Sequence, residues 1–171
     1  MSRIAANETQ VAIRDLRGRF VPLVSTIAAI LLALLPIVAA TPLIPDFGLL
    51  VLIAWRLLRP EIWTPNTALG LGIFNDLVAG NPIGQSMLLW TALFLVFDLI
   101  DGRLAFRDYM MDWLIAAAAI LFVTGGAWYI ALLMGTDVHV LVIAPQVGIA
   151  ILAYPVVTRI ILTLDRWRLG R

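Results

Sequence analysis

The chain has 171 residues, of which 62% are hydrophobic and 13% charged, with a net charge of +1 at pH 7. Soluble domains usually carry about 25% charged residues, so a water-soluble fold of this composition would expose large apolar patches and aggregate. The absence of cysteine excludes disulfides, thiol catalysis and thiolate metal sites. The composition therefore favours an integral membrane protein.

The chain starts with a polar segment, residues 1–19, in which an interfacial amphipathic helix and an unstructured tail both fit the pattern. Residues 20–45 follow without a single charge. A helix of about 20 apolar residues crosses a bilayer core, whereas the apolar region of a signal peptide has about 7–15. We therefore predict a retained first transmembrane helix.

Two shorter apolar stretches follow, Phe47–Leu58 and Thr64–Ala79, with the charged residues Arg56, Arg59 and Glu61 at their junction. At 1.5 Å per residue each helix would reach only about 18–24 Å, which is short for a bilayer core. Charged groups are costly in hydrocarbon, so we predict two short helices joined by a turn in water.

Three more apolar stretches complete the chain, and the expected class is an all-α integral membrane protein with six transmembrane helices, the second and third short. The last three predicted spans are Gln85–Phe97 with a continuation to Ile100, Trp113–Thr136 and Val138–Thr158. The expected organisation is a cytoplasmic segment at 1–19, one membrane domain at 20–163 and a cytoplasmic basic tail at 164–171.

All twelve basic residues are arginines, and all lie in four segments that this model places on one side of the membrane. Under the positive-inside rule, both termini are then cytoplasmic. Anionic lipid headgroups fit these scattered arginines better than nucleic acid does. The arginines predicted at the membrane surface are Arg14, Arg17, Arg19, Arg56, Arg59, Arg103, Arg107, Arg166 and Arg168.

Small residues recur every four positions around one acidic residue of the third helix, at Ala68, Gly72, Asp76, Gly80 and Gly84. This spacing places a small-residue stripe on one helix face, where helices pack closely. Three roles fit Asp76: a local turn near water, a hydrogen bond between helices, or a carboxylate used in transport or catalysis.

The segment from Gly80 to Gly84, with Pro82 inside it, predicts a tight turn and lacks the spacing of a phosphate-binding loop. His139 is the only histidine and falls in a predicted outer loop, so we expect neither a metal site, a cofactor nor a catalytic pair. Four aspartates near the fourth loop fit local ion pairs or a docking surface; they are Asp98, Asp101, Asp108 and Asp112.

The stretch from Gly72 to Gly84 resembles the best-marked region of the rod shape-determining protein MreD family, which reads roughly G-x-x-x-D-x-x-x-G-x-P-L-G. Gly72, Asp76, Gly80, Pro82 and Gly84 fall on this pattern, and isoleucine replaces the usual leucine before the last glycine. The upstream sequence PDFGLL also resembles the start of the family's short second helix.

This resemblance implies a non-enzymatic protein of the bacterial inner membrane that serves the cell-elongation machinery. The implied partners are the single-span periplasmic protein MreC, the actin-like MreB, and RodA with its transpeptidase; a homodimer stays open. The family is also similar to the six-helix substrate-binding (S) components of energy-coupling-factor vitamin transporters, which suggests a similar fold with another task. The motif would then pack helices and face a partner.

Two other functions stay open on the residues alone. A small-molecule transporter subunit should have a pocket with several convergent polar groups, and few polar residues lie within the predicted spans. A membrane enzyme acting on lipids usually displays histidine and carboxylate groups at helix ends, which a single loop histidine does not provide.

Overall fold

A computed structural model describes residues 20–34, 44–101, 108–136 and 139–169, and these residues are almost entirely helical. The helices are α1 Phe20–Leu34, α2 Phe47–Leu58, α3 Pro65–Ala79, α4 Gln85–Asp101, α5 Tyr109–Leu133 and α6 Val140–Leu169. The last three residues of α1 form a 3-10 turn, and a second 3-10 turn, Pro60–Ile62, separates α2 from α3.

Local chemistry sets the ends of the two short helices. The Asp46 carboxylate accepts a hydrogen bond from the Leu49 amide and caps the start of α2. α3 starts at Pro65, where a missing N–H costs nothing, and Thr64 and Thr67 form a capping box there. Gly80 ends α3 in the left-handed conformation.

Successive helices run in opposite directions, and the two ends of the bundle are named here after Asp76 and Arg56. The Asp76 end contains the starts of α2 and α4 and the end of α3. The start of α6 lies at the same end, because the Gln146 side chain donates a hydrogen bond to the Ile44 carbonyl just before α2. The Arg56 end holds the ends of α2, α4 and α6. Ion pairs of Arg56 and Arg59, described below, join these helices to one another.

The short helix α2 forms the centre of the bundle, and nearly all of its residues are buried. It packs against α5 and α6, while α3 packs mainly against α4. The largest buried side chains include Trp55 of α2, with Trp90 and Phe94 of α4. A helix that is apolar all round needs such a central position, because no face of it suits water.

α5 and α6 are the two described helices that are long and apolar enough to cross a membrane. Only 22% and 17% of their most apolar windows are buried, with side chains such as Leu121 and Leu152 exposed. The central helix of a soluble protein would be mostly buried. Large exposed apolar surfaces instead fit contact with lipid.

The described residues contain six helices in the predicted order, and the last of them is longer than predicted. α6 continues to Leu169, eleven residues past the predicted end of the last span at Thr158. The predicted boundary at residue 163, between membrane domain and basic tail, therefore falls inside a helix. The first predicted span ended at residue 45, and its portion 35–43 lies outside the described residues.

Candidate functional site

The predicted small-residue stripe lies in the contact between α3 and α4. Ala68 is fully buried, and Gly72 lies directly against the backbone of α4. A Cβ atom on Gly72 would be 2.6 Å from the Met87 Cα atom and 2.7 Å from the Met87 nitrogen. Only glycine fits so close an approach, so Gly72 sets the distance between the two helices.

The Asp76 carboxylate lies at the start of α4 and is 1% exposed. Its oxygens accept hydrogen bonds from the Gly84 amide at 2.9 Å and the Ser86 amide at 2.8 Å, and the Met87 amide lies 3.5 Å away. The first amides of a helix have no partner within the helix, and negative charge is favoured there. Asp76 therefore caps α4 from the preceding helix.

The turn between α3 and α4 needs its glycines for their backbone conformation. Gly80 has φ of 69° and Gly84 has φ of 99°, a region that side chains disfavour. The Asn81 amide donates to the Asp76 carbonyl, and the Gln85 amide donates to the Pro82 carbonyl. Every member of the predicted motif from Ala68 to Gly84 thus lies in one helical hairpin, α3–α4.

Two further polar residues extend this site towards α2. The Asn75 amide group donates to the Ser86 hydroxyl at 3.0 Å and also hydrogen-bonds the Asp46 carboxylate. Asp46, Asn75, Asp76 and Ser86, named here the polar cluster, link the ends of α2, α3 and α4. Asn75, Ser86 and Asp46 had no predicted role, although Asn75 stands beside the marked aspartate in an apolar helix.

A cavity of about 520 Å³ lies beside the polar cluster. Described residues of all six helices line it, including Asp46, Ser86 and Trp90. Gln85, Thr124, Trp128 and Gln146 add further polar groups to its wall. No local sequence pattern indicates this cavity, because its wall combines residues from distant parts of the chain.

At the opposite end, Arg56 is buried inside the protein. One of its terminal nitrogens lies 2.6 Å from an Asp98 oxygen, and the other lies 2.7 Å from an Asp101 oxygen. The guanidinium carbon also lies within 6 Å of the ring centres of Phe94 and Phe97, a cation–π distance. Arg56 thereby fastens α2 to one face of α4.

A second ion-pair group joins the end of α2 to α6. Asp165 pairs with Arg59 at 2.8 Å and with Arg168 at 2.7 Å, and the Arg168 guanidinium lies over the Trp55 ring. The hydrogen bond from Arg59 to Asp165 is the main cause that raises the pKa of Arg59 above its usual value. Asp165 and Arg168 both lie on the part of α6 that extends beyond Thr158.

Arg56 and Arg168 were predicted at the membrane surface, but their side chains are only 2% and 5% exposed. Carboxylates neutralise them: Asp98 and Asp101 of α4 pair with Arg56, and Asp165 of the same helix pairs with Arg168. Arg166 is exposed and Arg59 is partly exposed, so contact of these two with headgroups stays a prediction. The five other predicted surface arginines lie outside the described residues; they are Arg14, Arg17, Arg19, Arg103 and Arg107.

The remaining predicted polar residues occupy two kinds of position. His139 is exposed at the start of α6, and Asp108 is exposed before α5. Asp98 and Asp101, predicted to form local ion pairs or a docking surface, both pair with Arg56 of α2. Within the described residues, no three histidine, cysteine or acidic side chains are grouped so that they could hold a metal ion.

Comparison with known proteins gives one match. The family model described as rod shape-determining protein MreD matches residues 15–165, which include the α3–α4 hairpin and the polar cluster. No curated protein and no solved structure shows significant similarity to the chain. The match covers most of the 171 residues, and its region contains the motif that resembles this family. The chain therefore belongs to the MreD family, membrane proteins with a role in rod-shape determination.

Proposed function

We propose that this protein is a non-enzymatic scaffold of the cell-elongation machinery in the bacterial inner membrane. Membership of the MreD family is the observation that carries this proposal. The described polar groups also have structural partners: Asp76 caps α4, and Arg56 is neutralised by two aspartates. Such groups serve to fix helix positions.

In this proposal six helices enter the membrane, and both termini are cytoplasmic. The distribution of arginines supports this orientation, because the described ones lie at the Arg56 end of the bundle. The Asp76 end and the α3–α4 turn then face the periplasm. Arg14, Arg17, Arg19, Arg103, Arg107 and Arg166 remain our candidates for contact with anionic headgroups.

The proposed partner surface is the α3–α4 turn, which would contact an MreC-like single-span periplasmic protein. Ile83 at its tip is 81% exposed, and Gly80 and Pro82 are exposed beside it. The buried stripe residues Ala68, Gly72 and Asp76 would act indirectly, by holding this turn in shape. MreB and RodA with its transpeptidase would join through the same assembly.

Gentle purification of the tagged, full-length protein from its native membrane tests this proposal. We expect a single-span periplasmic protein and cell-wall synthases to co-purify. Ile83→Ser should lower the yield of the periplasmic partner several-fold, since it removes the exposed apolar tip of the turn. The matched control is Leu99→Ser, which removes an equally exposed apolar side chain, 70% exposed, at the other end of α4.

Two results would count against the proposal. If no elongation protein accompanies the native chain, the scaffold function is wrong. If Ile83→Ser and Leu99→Ser retain the partner equally, the scaffold function stands but the turn is not the contact surface.

The second candidate function is a substrate-binding membrane subunit of a small-molecule transporter. The cavity at the Asp76 end favours it, because ligand sites are concave, mostly apolar and carry a few convergent polar groups. Similarity to the S components of energy-coupling-factor transporters stays a prediction. The same purification would support this candidate if an ATPase module or a vitamin-like molecule accompanied the protein.

A further inference from the structure

The cavity at the Asp76 end has the size of a site for a small organic molecule. Its volume of about 520 Å³ lies within the range of about 300–1,000 Å³ that is typical of ligand pockets. Apolar groups of α1 and α5, such as Ala29 and Ala127, line one part of it. Polar side chains of Asp46, Gln85 and Gln146 line another.

The charge of the described wall is one-sided. Asp46 is its one acidic residue, and no arginine or histidine belongs to the described lining. The described arginines of this chain lie towards the other end of the bundle. A carboxylate without a basic neighbour in a largely apolar cavity attracts positive charge and repels anions.

Asp46 lies just before α2, and its surroundings raise its pKa above the usual value. Burial is the largest cause, and it outweighs the hydrogen bonds from Leu49, Gly48 and Asn75. Asp46 is partly exposed, and an opposite charge beside its carboxylate would favour the negative form.

Aromatic residues form part of the cavity wall. Trp90 is fully buried behind its surface. Trp128 lies in the same wall, so two indole rings face the cavity or its rim.

We propose that this cavity binds a small organic cation with a planar apolar body, its positive group beside Asp46 and its apolar body against the part of the wall that includes Trp128. Indole rings favour cations and flat apolar groups. The inference does not depend on the scaffold function, since a bound cation could regulate a scaffold or be the cargo of a transporter subunit.

The test uses the full-length protein in lipid nanodiscs and three fluorescent probes of similar size. Dansylcadaverine carries an amine, its N-acetyl derivative is neutral, and dansyl-6-aminohexanoate is anionic. Energy transfer from tryptophan to the dansyl group reports binding, and empty nanodiscs correct for partition into lipid. We expect the amine to bind about tenfold more tightly than either analogue, because one hydrogen bond to a charged group changes the Kd by about this factor.

Matched variants locate the site. Asp46→Asn keeps an oxygen for the helix cap but removes the charge, so the amine should bind about tenfold more weakly and the neutral probe unchanged. Glu61→Gln removes an exposed charge at the other end and should change nothing. Trp128→Phe should weaken binding of all three probes, whereas Trp167→Phe, at an exposed tryptophan outside the cavity wall, should not.

A cavity-filling variant keeps the test decisive if Asp46→Asn does not fold. Ala127→Leu adds three carbon atoms to the cavity wall and should weaken all three probes, while Ala118→Leu, on an exposed face of α5, should not. Equal binding of the three probes to the native protein would overturn the proposal. So would amine binding that Ala127→Leu leaves unchanged.

Discussion

The Asp76 carboxylate takes the place of the water that would otherwise hydrate the first amides of α4. Because it is 1% exposed and already accepts two short hydrogen bonds from the backbone, its direct contact with a partner protein is sterically excluded. Three roles were open for Asp76 from the sequence, and this geometry fits the hydrogen bond between helices. Its influence on function would pass through the shape of the α3–α4 turn.

Asp76→Ala should lower the free energy of unfolding by about 2–4 kcal/mol, since it removes a helix cap and leaves two buried amides unpaired. Asp76→Asn should cost less, because one acceptor oxygen remains. Asp108→Ala is the matched control: Asp108 precedes α5 without a side-chain capping bond, so a change within about 0.5 kcal/mol is expected. Reversible unfolding in mixed micelles measures all three, and equal losses at Asp76 and Asp108 would contradict the capping role.

At the scale of helices, α3 and α4 form one unit whose spacing depends on Gly72. Gly126 of α5 makes a similar close approach to α4, where a Cβ atom would lie 2.5 Å from Leu89 Cδ2. The two contacts differ in what must move. A leucine end can rotate away, whereas the Met87 backbone against Gly72 cannot without shifting α4.

Gly72→Ala should therefore destabilise the protein by about 1–3 kcal/mol, as overpacking usually does. Gly70→Ala on the same helix meets nothing within 4 Å and should be neutral, or stabilising by up to about 1 kcal/mol, because alanine favours helix. Thermal unfolding of the two purified variants decides between these outcomes. A Gly72 variant as stable as the Gly70 variant would show that α3 and α4 are less closely packed.

At the scale of the whole molecule, charge separates the two ends of the bundle. The Arg56 end gathers Arg56, Arg59 and Arg168 with their aspartates, while the Asp76 end holds the polar cluster and the cavity. The positive-inside rule predicts that the arginine-rich end faces the cytoplasm. The proposed orientation follows from it.

The orientation can be measured directly, because the chain has no cysteine of its own. Single cysteines at Ile83 and Trp167 would occupy exposed positions, 81% and 63% exposed, at opposite ends of the bundle. A membrane-impermeant maleimide should label Ile83→Cys in intact cells and Trp167→Cys only after permeabilisation. The reverse pattern would invert the proposed topology, and labelling of both positions in intact cells would reject the six-helix crossing.

The sequence by itself determined the helices and the marked hairpin. Charges, prolines and glycines are local signals, so the predicted stretches Phe47–Leu58 and Thr64–Ala79 match α2 and α3 within one residue at each end. The stripe spacing likewise identified the face of α3 that packs closely, since one helix turn fixes which residues share a face.

Only the tertiary structure decided which groups meet across the bundle. Arg56 pairs with Asp98, which is 42 residues away along the chain, and Arg59 pairs with Asp165, which is 106 residues away. A sequence shows that a charge in an apolar chain needs a partner, but lipid headgroups, water and a distant carboxylate all satisfy that need equally. The fold brings the end of α2 close to the aspartates of α4 and α6, so carboxylates neutralise these arginines, and it also leaves the cavity beside Asp46.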